Sequence, residues 1–171
     1  VDAPPAIRPA RTADATAIGR IYDEGIADGN ATFAAGPHRA EERRRWLAAR
    51  AARAPVFVAD HDGEVVGWSA LAPFSHRPWY DGVAEYTAYV ARAARGAGVG
   101  GLLLRHLVGA APGLGYWKLV GMILAANPSG LALAHANGFR TVGTHRGHGR
   151  IGDRWHDVVV VERHLVLDGA P

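Results

Sequence analysis

Cysteine is absent from the 171 residues. That excludes disulfides, thiolate nucleophiles and every Cys-based zinc or iron–sulfur site. An unbroken apolar run long enough to cross a membrane is missing too. Leu107–Ala126 comes nearest, but Pro112, Lys118 and four glycines interrupt it. The lack of cysteine also makes a cytoplasmic address the easiest reading, and Val1–Pro9, with no apolar core, does not read as a signal peptide. Acidic residues vanish between Tyr86 and Gly152, where Arg92, Arg95, Arg105, Lys118, Arg140, Arg146 and Arg150 stand unopposed. The rest of the chain holds 12 basic against 16 acidic residues, for a net charge of +3 overall. An electropositive half suggests an anionic partner such as a phosphate or a nucleotide-like cofactor; chance in an Arg- and Ala-rich chain is the plain alternative. Aromatic residues do not interleave with the basic ones, so no nucleic-acid partner is expected.

What is present points to one globular domain over residues 1–171, since 49% hydrophobic residues supply a sizeable core. Ala6–Ala10 reads as extended. Thr12 can cap a helix bearing Ala17, Ile18, Ile21 and Tyr22 on its apolar stripe. Gly29–Pro37 reads as loop. Arg39–Arg53 reads as an exposed helix with Trp46 and Leu47 on its buried side, and Arg43-Arg44-Arg45 as its solvated face. Val56–Ala59 and Glu64–Ala72 are strands joined by the turn Asp62–Gly63. Strand Val83–Ala91, helix Gly101–Ala111 and strand Lys118–Ala125 come next. Pro128 opens helix Ser129–Asn137, which Gly138 ends. Strands around Arg140–Arg146 and Arg154–Leu167 finish the chain. The order implies a mixed α/β (α+β) fold around a mostly antiparallel sheet.

The most specific local feature is Arg95-Gly96-Ala97-Gly98-Val99-Gly100, between a strand and a helix. Glycines let backbone N–H groups approach phosphate oxygens, and a helix N-terminus favours negative charge. With Gly101 the run also fits a dinucleotide fingerprint. That reading wants an acidic residue about 20 positions on, and none occurs before Asp153. A purely structural glycine turn is the other alternative.

The run resembles the Q/R-x-x-G-x-G/A signature of the GNAT N-acetyltransferases. The resemblance extends from Ile7 to about Leu165 and sharpens to the phosphinothricin and methionine sulfoximine acetyltransferase branch. Its further markers are Ile7-Arg8-Pro9-Ala10, Ala31-Thr32-Phe33, Arg77 with Tyr80-Asp81 and Glu85, Asn127, Gly138-Phe139, Gly143-Thr144 and Trp155-His156-Asp157. It implies helices on both faces of the sheet, a bulged strand before the glycine loop, acetyl-CoA as co-substrate and a homodimer. It also implies a small amino-acid analogue as acceptor, acetylated on its α-amino group.

By that resemblance Glu85 is the general base, and the Val90 N–H polarises the thioester carbonyl. Tyr89, Val90 and Arg95–Gly100 bind the cofactor, and Asn127 holds its pantetheine arm. Thr32, Phe33 and Thr87 face the substrate. Arg77 suits the substrate α-carboxylate, because a guanidinium binds carboxylate bidentately. Plainer readings stand beside these. Glu85 can be an exposed strand carboxylate or a partner of Arg77, Arg77 can pair with Asp81, and Asn127 can simply cap its helix. One departure is visible: the family's His or Tyr seven positions after the asparagine is Ala134, with His135 one residue later, and the usual Ser three positions on is Gly130. His145, His148 and His156 lack a nearby carboxylate before Asp153, so no metal is expected. Protein N-terminal or lysine acetylation, and a non-catalytic acyl-CoA sensor, are the alternative functions.

Overall fold

The computed structural model describes residues 3–37 and 39–165. The strands are β1 (Ala6–Pro9), β2 (Val56–His61), β3 (Glu64–Pro73), β4 (Val83–Val90), β5 (Lys118–Leu124), β6 (Arg140–Ile151) and β7 (Arg154–His164). The helices are α1 (Ala15–Asp28), α2 (Ala40–Ala48), α3 (Val99–Ala110) and α4 (Pro128–Ala136). One seven-stranded sheet carries them in the order β1-β2-β3-β4-β5-β7-β6. Only β4 and β5 run parallel; every other neighbouring pair is antiparallel.

Alternation along β3 sorts the core into two layers. Trp68 and Ala70 face Ile18 and Ile21 of α1, with Val56 and Val58 of β2. Leu71 faces the other way, towards Leu104 and Leu107 of α3, Ala134 of α4, and Tyr86, Tyr116, Leu119 and Phe139. Helices therefore cover both faces, as the resemblance implied. The mixed sheet is the expected one.

Several local boundaries differ from the sequence reading. Thr12 does not cap α1: it opens a 3-10 turn, and the helix starts at Ala15. Asp14 anchors that entry by accepting from the Arg11 amide at 2.7 Å and bidentately from Arg8 at 2.7 and 2.9 Å. Helix α2 stops at Ala48, and the side chains of the arginines beyond it reach carbonyls outside the helix. Arg50 Nε donates to Ala54 O at 2.8 Å, and Arg53 Nε donates to Leu114 O at 2.8 Å. Helix α3 begins at Val99, two residues earlier than expected. The bulged strand is not found before the glycine loop: β3 and β4 pair in unbroken register from Pro73↔Ala84 to Gly67↔Val90. The expected end of the last strand, Val166–Leu167, lies outside the described residues. Among those residues no helix is long and apolar enough to cross a membrane.

Candidate active site

The site arises where two parallel strands part. β4 pairs with β5 only at Val83↔Lys118, Ala84↔Leu119 and Glu85↔Val120. Beyond that rung β5 follows β7 through to Leu124↔Val158, while β4 follows β3. A V-shaped gap opens between them. The printed ladder fixes which amides face it. Phe74 N donates to Val83 O, and Ala91 N to Val66 O, so the odd-numbered residues of β4 bond to β3. By antiparallel alternation the N–H groups of Ala88 and Val90 point to the β5 side, into the gap. Arg95 Nε donates to the Val90 carbonyl at 3.2 Å.

Period-2 geometry then puts Glu85, Thr87 and Tyr89 on one face, towards α1 and α2. There they line a cavity of about 600 Å³ together with Tyr22, Thr32, Phe33, Arg43 and Trp46, among others. A smaller cavity of about 90 Å³ follows the gap itself, lined by Tyr86, Ala88, Ile123, Asn127, Gly130 and Leu133. Ala31, Thr87, Tyr89, Met122 and Leu124 line both cavities, so the two meet at this point.

Glu85 is half-buried, and burial raises its carboxyl above the ordinary value of 4.5. Arg77 is exposed on the loop after β3, where its amide bonds Ser75 Oγ at 3.2 Å, and it does not line the large cavity. Neither does it pair with Asp81. Arg53 holds Asp81 instead, with Nη1 on Oδ2 and Nη2 on the carbonyl, both at 2.8 Å. Thr32 is fixed by the Tyr22 hydroxyl at 2.9 Å and by the Ala34 amide, which donates to its Oγ1 at 3.1 Å. Phe33 lies against Gly149 of β6, where an added Cβ would come within 2.5 Å of its ring, and edge-on to His156 at 6.4 Å. Tyr89 donates its hydroxyl to Ala31 O at 3.3 Å, and burial raises its pKa.

The glycine run is built as a loop and a helix start. Gly96 and Gly98 adopt φ of +79° and +82°, with Gly98 as the left-handed N-cap of α3. Nothing within 4 Å would meet a Cβ at either position. Their glycine character therefore comes from backbone conformation rather than crowding by the chain itself. A helix N-terminus led by such a turn is suited to negative charge. Asp28 gathers two of the loop's cations, Arg92 at 2.7 Å and Arg95 at 2.6 Å, which lowers its own pKa.

Asn127 caps α4: its Oδ1 accepts from the Gly130 amide at 2.9 Å. The side chain also lines the smaller cavity, so capping and ligand contact are compatible. Ala134 is fully buried in the core, and His135 turns outward to Thr141 Oγ1 at 3.0 Å. Neither lines either cavity.

Sequence reasoning missed Arg43. It was expected on a solvated face, yet it is 7% exposed and lines the large cavity. Arg44 and Arg45 do sit outside, paired with Glu41 at 3.6 and 3.3 Å. Helical spacing carried the signal, because Arg43 lies three and four residues before Trp46 and Leu47, on the same stripe. His148 also lines the cavity and stacks on His145 at 4.5 Å. Among the described residues no group of three or more His, Asp or Glu is placed to hold a metal ion.

A mixed sheet parted between its parallel strands, with a glycine loop leading from the first of them into a helix, defines the class. The model of the acetyltransferase (GNAT) domain family matches residues 7–160, and the chain belongs to that family and is an N-acetyltransferase. Phosphinothricin N-acetyltransferase of Streptomyces coelicolor is 31% identical over 93% of this chain and 95% of its own length. The L-methionine sulfoximine/L-methionine sulfone acetyltransferase of Pseudomonas paraeruginosa is 30% identical over 93% of this chain and 94% of its own. A crystal structure of a GNAT superfamily phosphinothricin acetyltransferase from Sinorhizobium meliloti, in complex with acetyl-CoA, superposes with a TM-score of 0.87. It is 32% identical and covers 94% of this chain and 88% of that one.

Proposed function

We propose that the enzyme transfers the acetyl group of acetyl-CoA to the α-amino group of a small amino-acid analogue of the phosphinothricin, methionine sulfoximine or methionine sulfone type. One observation carries the reading: Glu85 borders the large cavity at the last β4–β5 rung, and Thr87 and Tyr89 line both cavities where they meet. The cofactor's pyrophosphate lies on the amides of Gly96–Gly100 beside Arg95, and its pantetheine arm runs through the gap past Asn127. The acceptor amine lies in the large cavity, bounded by Thr32, Phe33 and Thr87.

Glu85 takes the ammonium proton, directly or through water, and a carboxyl raised above its ordinary value is better matched to that task. The free amine attacks the thioester carbonyl, and the Val90 N–H stabilises the oxyanion that develops. Collapse expels the thiolate of CoA while the nitrogen sheds its second proton to solvent, and solvent protonates the thiolate, since Ala134 offers no acid. With no cysteine to carry the acetyl group, transfer is direct within a ternary complex. Arg77 is retained as the candidate clamp for the α-carboxylate, approaching from the loop that follows cavity-lining Ala72. A homodimer in the cytoplasm completes the reading; the exposed edge strand β6 and the exposed Val142 and Trp155 are the surface that supports it.

The test is thiol release from acetyl-CoA with a panel of free amino acids, the three analogues and short peptides. Release with the analogues and not with peptides is expected. Release with peptides alone would replace this reading with protein acetylation, and none with any acceptor would favour a sensor.

A further inference from the structure

The large cavity contains more charge than the chemistry above uses. Arg43 enters it from α2, and its side chain has no hydrogen bond or ion pair among the described residues. Its Nε and Nη2 are buried without a partner. Three rings surround the guanidinium carbon instead: Tyr22 at 4.7 Å, Trp46 at 5.0 Å and Trp68 at 5.9 Å. Burial lowers its pKa, and Asp23 and Glu42 act on it only from a distance. Arg50 lies 4.8 Å from the Trp46 ring, with its Nε on the Ala54 carbonyl and its Nη2 on the Leu71 carbonyl. Both arginines line the cavity that holds Glu85.

A buried guanidinium without an acceptor is costly unless something completes it. Aromatic faces supply part of that compensation, but they leave the N–H donors unused. Two arginines against one ionised Glu85 give the cavity an excess of one positive charge. A zwitterionic amino acid with a neutral side chain is net neutral and leaves that excess in place. An amino acid whose side chain ends in an anion cancels it. Position agrees with charge. Glu85 pairs with Ala72 and Tyr89 with Trp68 across β3 and β4, so Glu85 stands four residues along β4 from the rung whose Trp68 ring Arg43 faces. An amine placed against Glu85 sends its side chain towards the Arg43 end.

We infer that Arg43 reads the far end of the acceptor's side chain, and that the preferred acceptor is an amino acid ending in an oxyanion, a phosphinate or carboxylate, rather than a neutral sulfone. This rests on the α-amine acetylation proposed above. Arg43 is thus a specificity-determining residue, and its aromatic cage is what keeps the unsatisfied fork aimed and dry.

The experiment measures kcat/KM for L-phosphinothricin, L-glutamate and L-methionine sulfone with wild type, Arg43→Gln and Arg43→Lys. The wild type should favour at least one anionic acceptor over the sulfone; phosphinothricin against glutamate tells a tetrahedral from a planar anion. Arg43→Gln should lower kcat/KM for that anion about 10- to 100-fold, mostly through KM, and for the sulfone about 3-fold or less. Arg43→Lys should recover part of the loss, because it restores the charge without the fork. Equal losses on anion and sulfone would mean that Arg43 does not read the side-chain end and would overturn the inference. Should both variants fail to fold, tryptophan fluorescence of wild type, reporting through Trp46 and Trp68, gives the affinities directly. Equal affinity for phosphinothricin, glutamate and sulfone then overturns it. Wild type that binds the anion more tightly but releases no thiol sinks the acetylation reading and leaves Arg43's role standing. Wild type that acetylates all three equally does the reverse.

Discussion

Glu85 and Val120 form the last rung between β4 and β5, and the strands separate immediately beyond it. The carboxylate that serves as candidate base is therefore placed by the backbone event that opens the cofactor gap. A one-residue slip of β4 would turn Glu85 to the α3 face and bring Tyr86 to the cavity. The buried Tyr86 side chain, packed on Phe139 at 4.8 Å, locks that register.

Glu85→Gln should lower kcat by about 10²-fold or more while leaving acetyl-CoA affinity near wild type, because it removes a base and not a cofactor contact. The wild-type rate should rise with pH along a limb set by Glu85, displaced above the ordinary carboxylate value in the direction burial imposes. The variant should lose that limb and recover partly at high pH, where free amine is abundant. A pH–rate series on both proteins decides it. An unchanged limb in the variant would assign the proton transfer to another group.

Gly98 and Gly63 separate backbone strain from phosphate contact. Both have positive φ, +82° and +86°, and neither would meet anything within 4 Å on gaining a Cβ. Alanine at either site should destabilise the fold by about 1–2 kcal/mol. Only Gly98→Ala should also weaken acetyl-CoA binding, because the proposed pyrophosphate contact is at Gly98 and not at Gly63. Calorimetric titration of the two folded variants provides the comparison. Equal affinities would detach the glycine run from the cofactor.

Element order and sheet class were readable because hydrophobic periodicity, Asp62–Gly63 and Pro128 are local signals. The glycine run was readable for the same reason, since strand, loop and helix are contiguous there; Glu85 as base came through the family resemblance instead. The two cavities were not, since they depend on where β4 and β5 part, and that is decided by β7 pairing along the whole of β5. Arg43 was misplaced because a triple-arginine run suggests water, and its aromatic cage draws Tyr22 and Trp68 from distant parts of the chain. The Arg77–Asp81 pair failed likewise, as Arg53, 28 residues before Asp81, took the carboxylate.

Asp14 should give the fold a measurable acid limb. Its salt bridge with Arg8 spans 2.7 Å, the side chain is 9% exposed, and its pKa is held below the ordinary 3.8, chiefly by the hydrogen bond from Arg8. A depressed folded pKa stabilises above the unfolded value and is lost as pH falls through the folded one. Asp14→Asn should therefore cost about 1–3 kcal/mol at pH 7, with the gap to wild type closing as pH drops below about 4. Denaturant titrations across that range test it. A gap independent of pH would mean that the carboxylate's charge contributes nothing.

Arg77 offers the sharpest division between substrate recognition and loop structure. The guanidinium is exposed and Asp81 is engaged by Arg53, so loss of an Arg77–Asp81 pair cannot explain any defect in a variant. If Arg77 closes on the α-carboxylate when substrate binds, the enzyme should prefer free amino acids to their amides or methyl esters. Arg77→Ala should then raise KM chiefly for the acid and narrow the acid-to-amide ratio of kcat/KM by about 10- to 100-fold, the range of a charge-assisted hydrogen bond. Stability should hardly move, because an exposed side chain outside any ion pair contributes little to the folded state. If the two cavity arginines bind the carboxylate instead, the ratio should survive Arg77→Ala and collapse in Arg43→Gln. Matched acid and amide of one acceptor, assayed by thiol release in both variants, place the clamp. A ratio indifferent to both substitutions would show that the carboxylate is not read by either arginine.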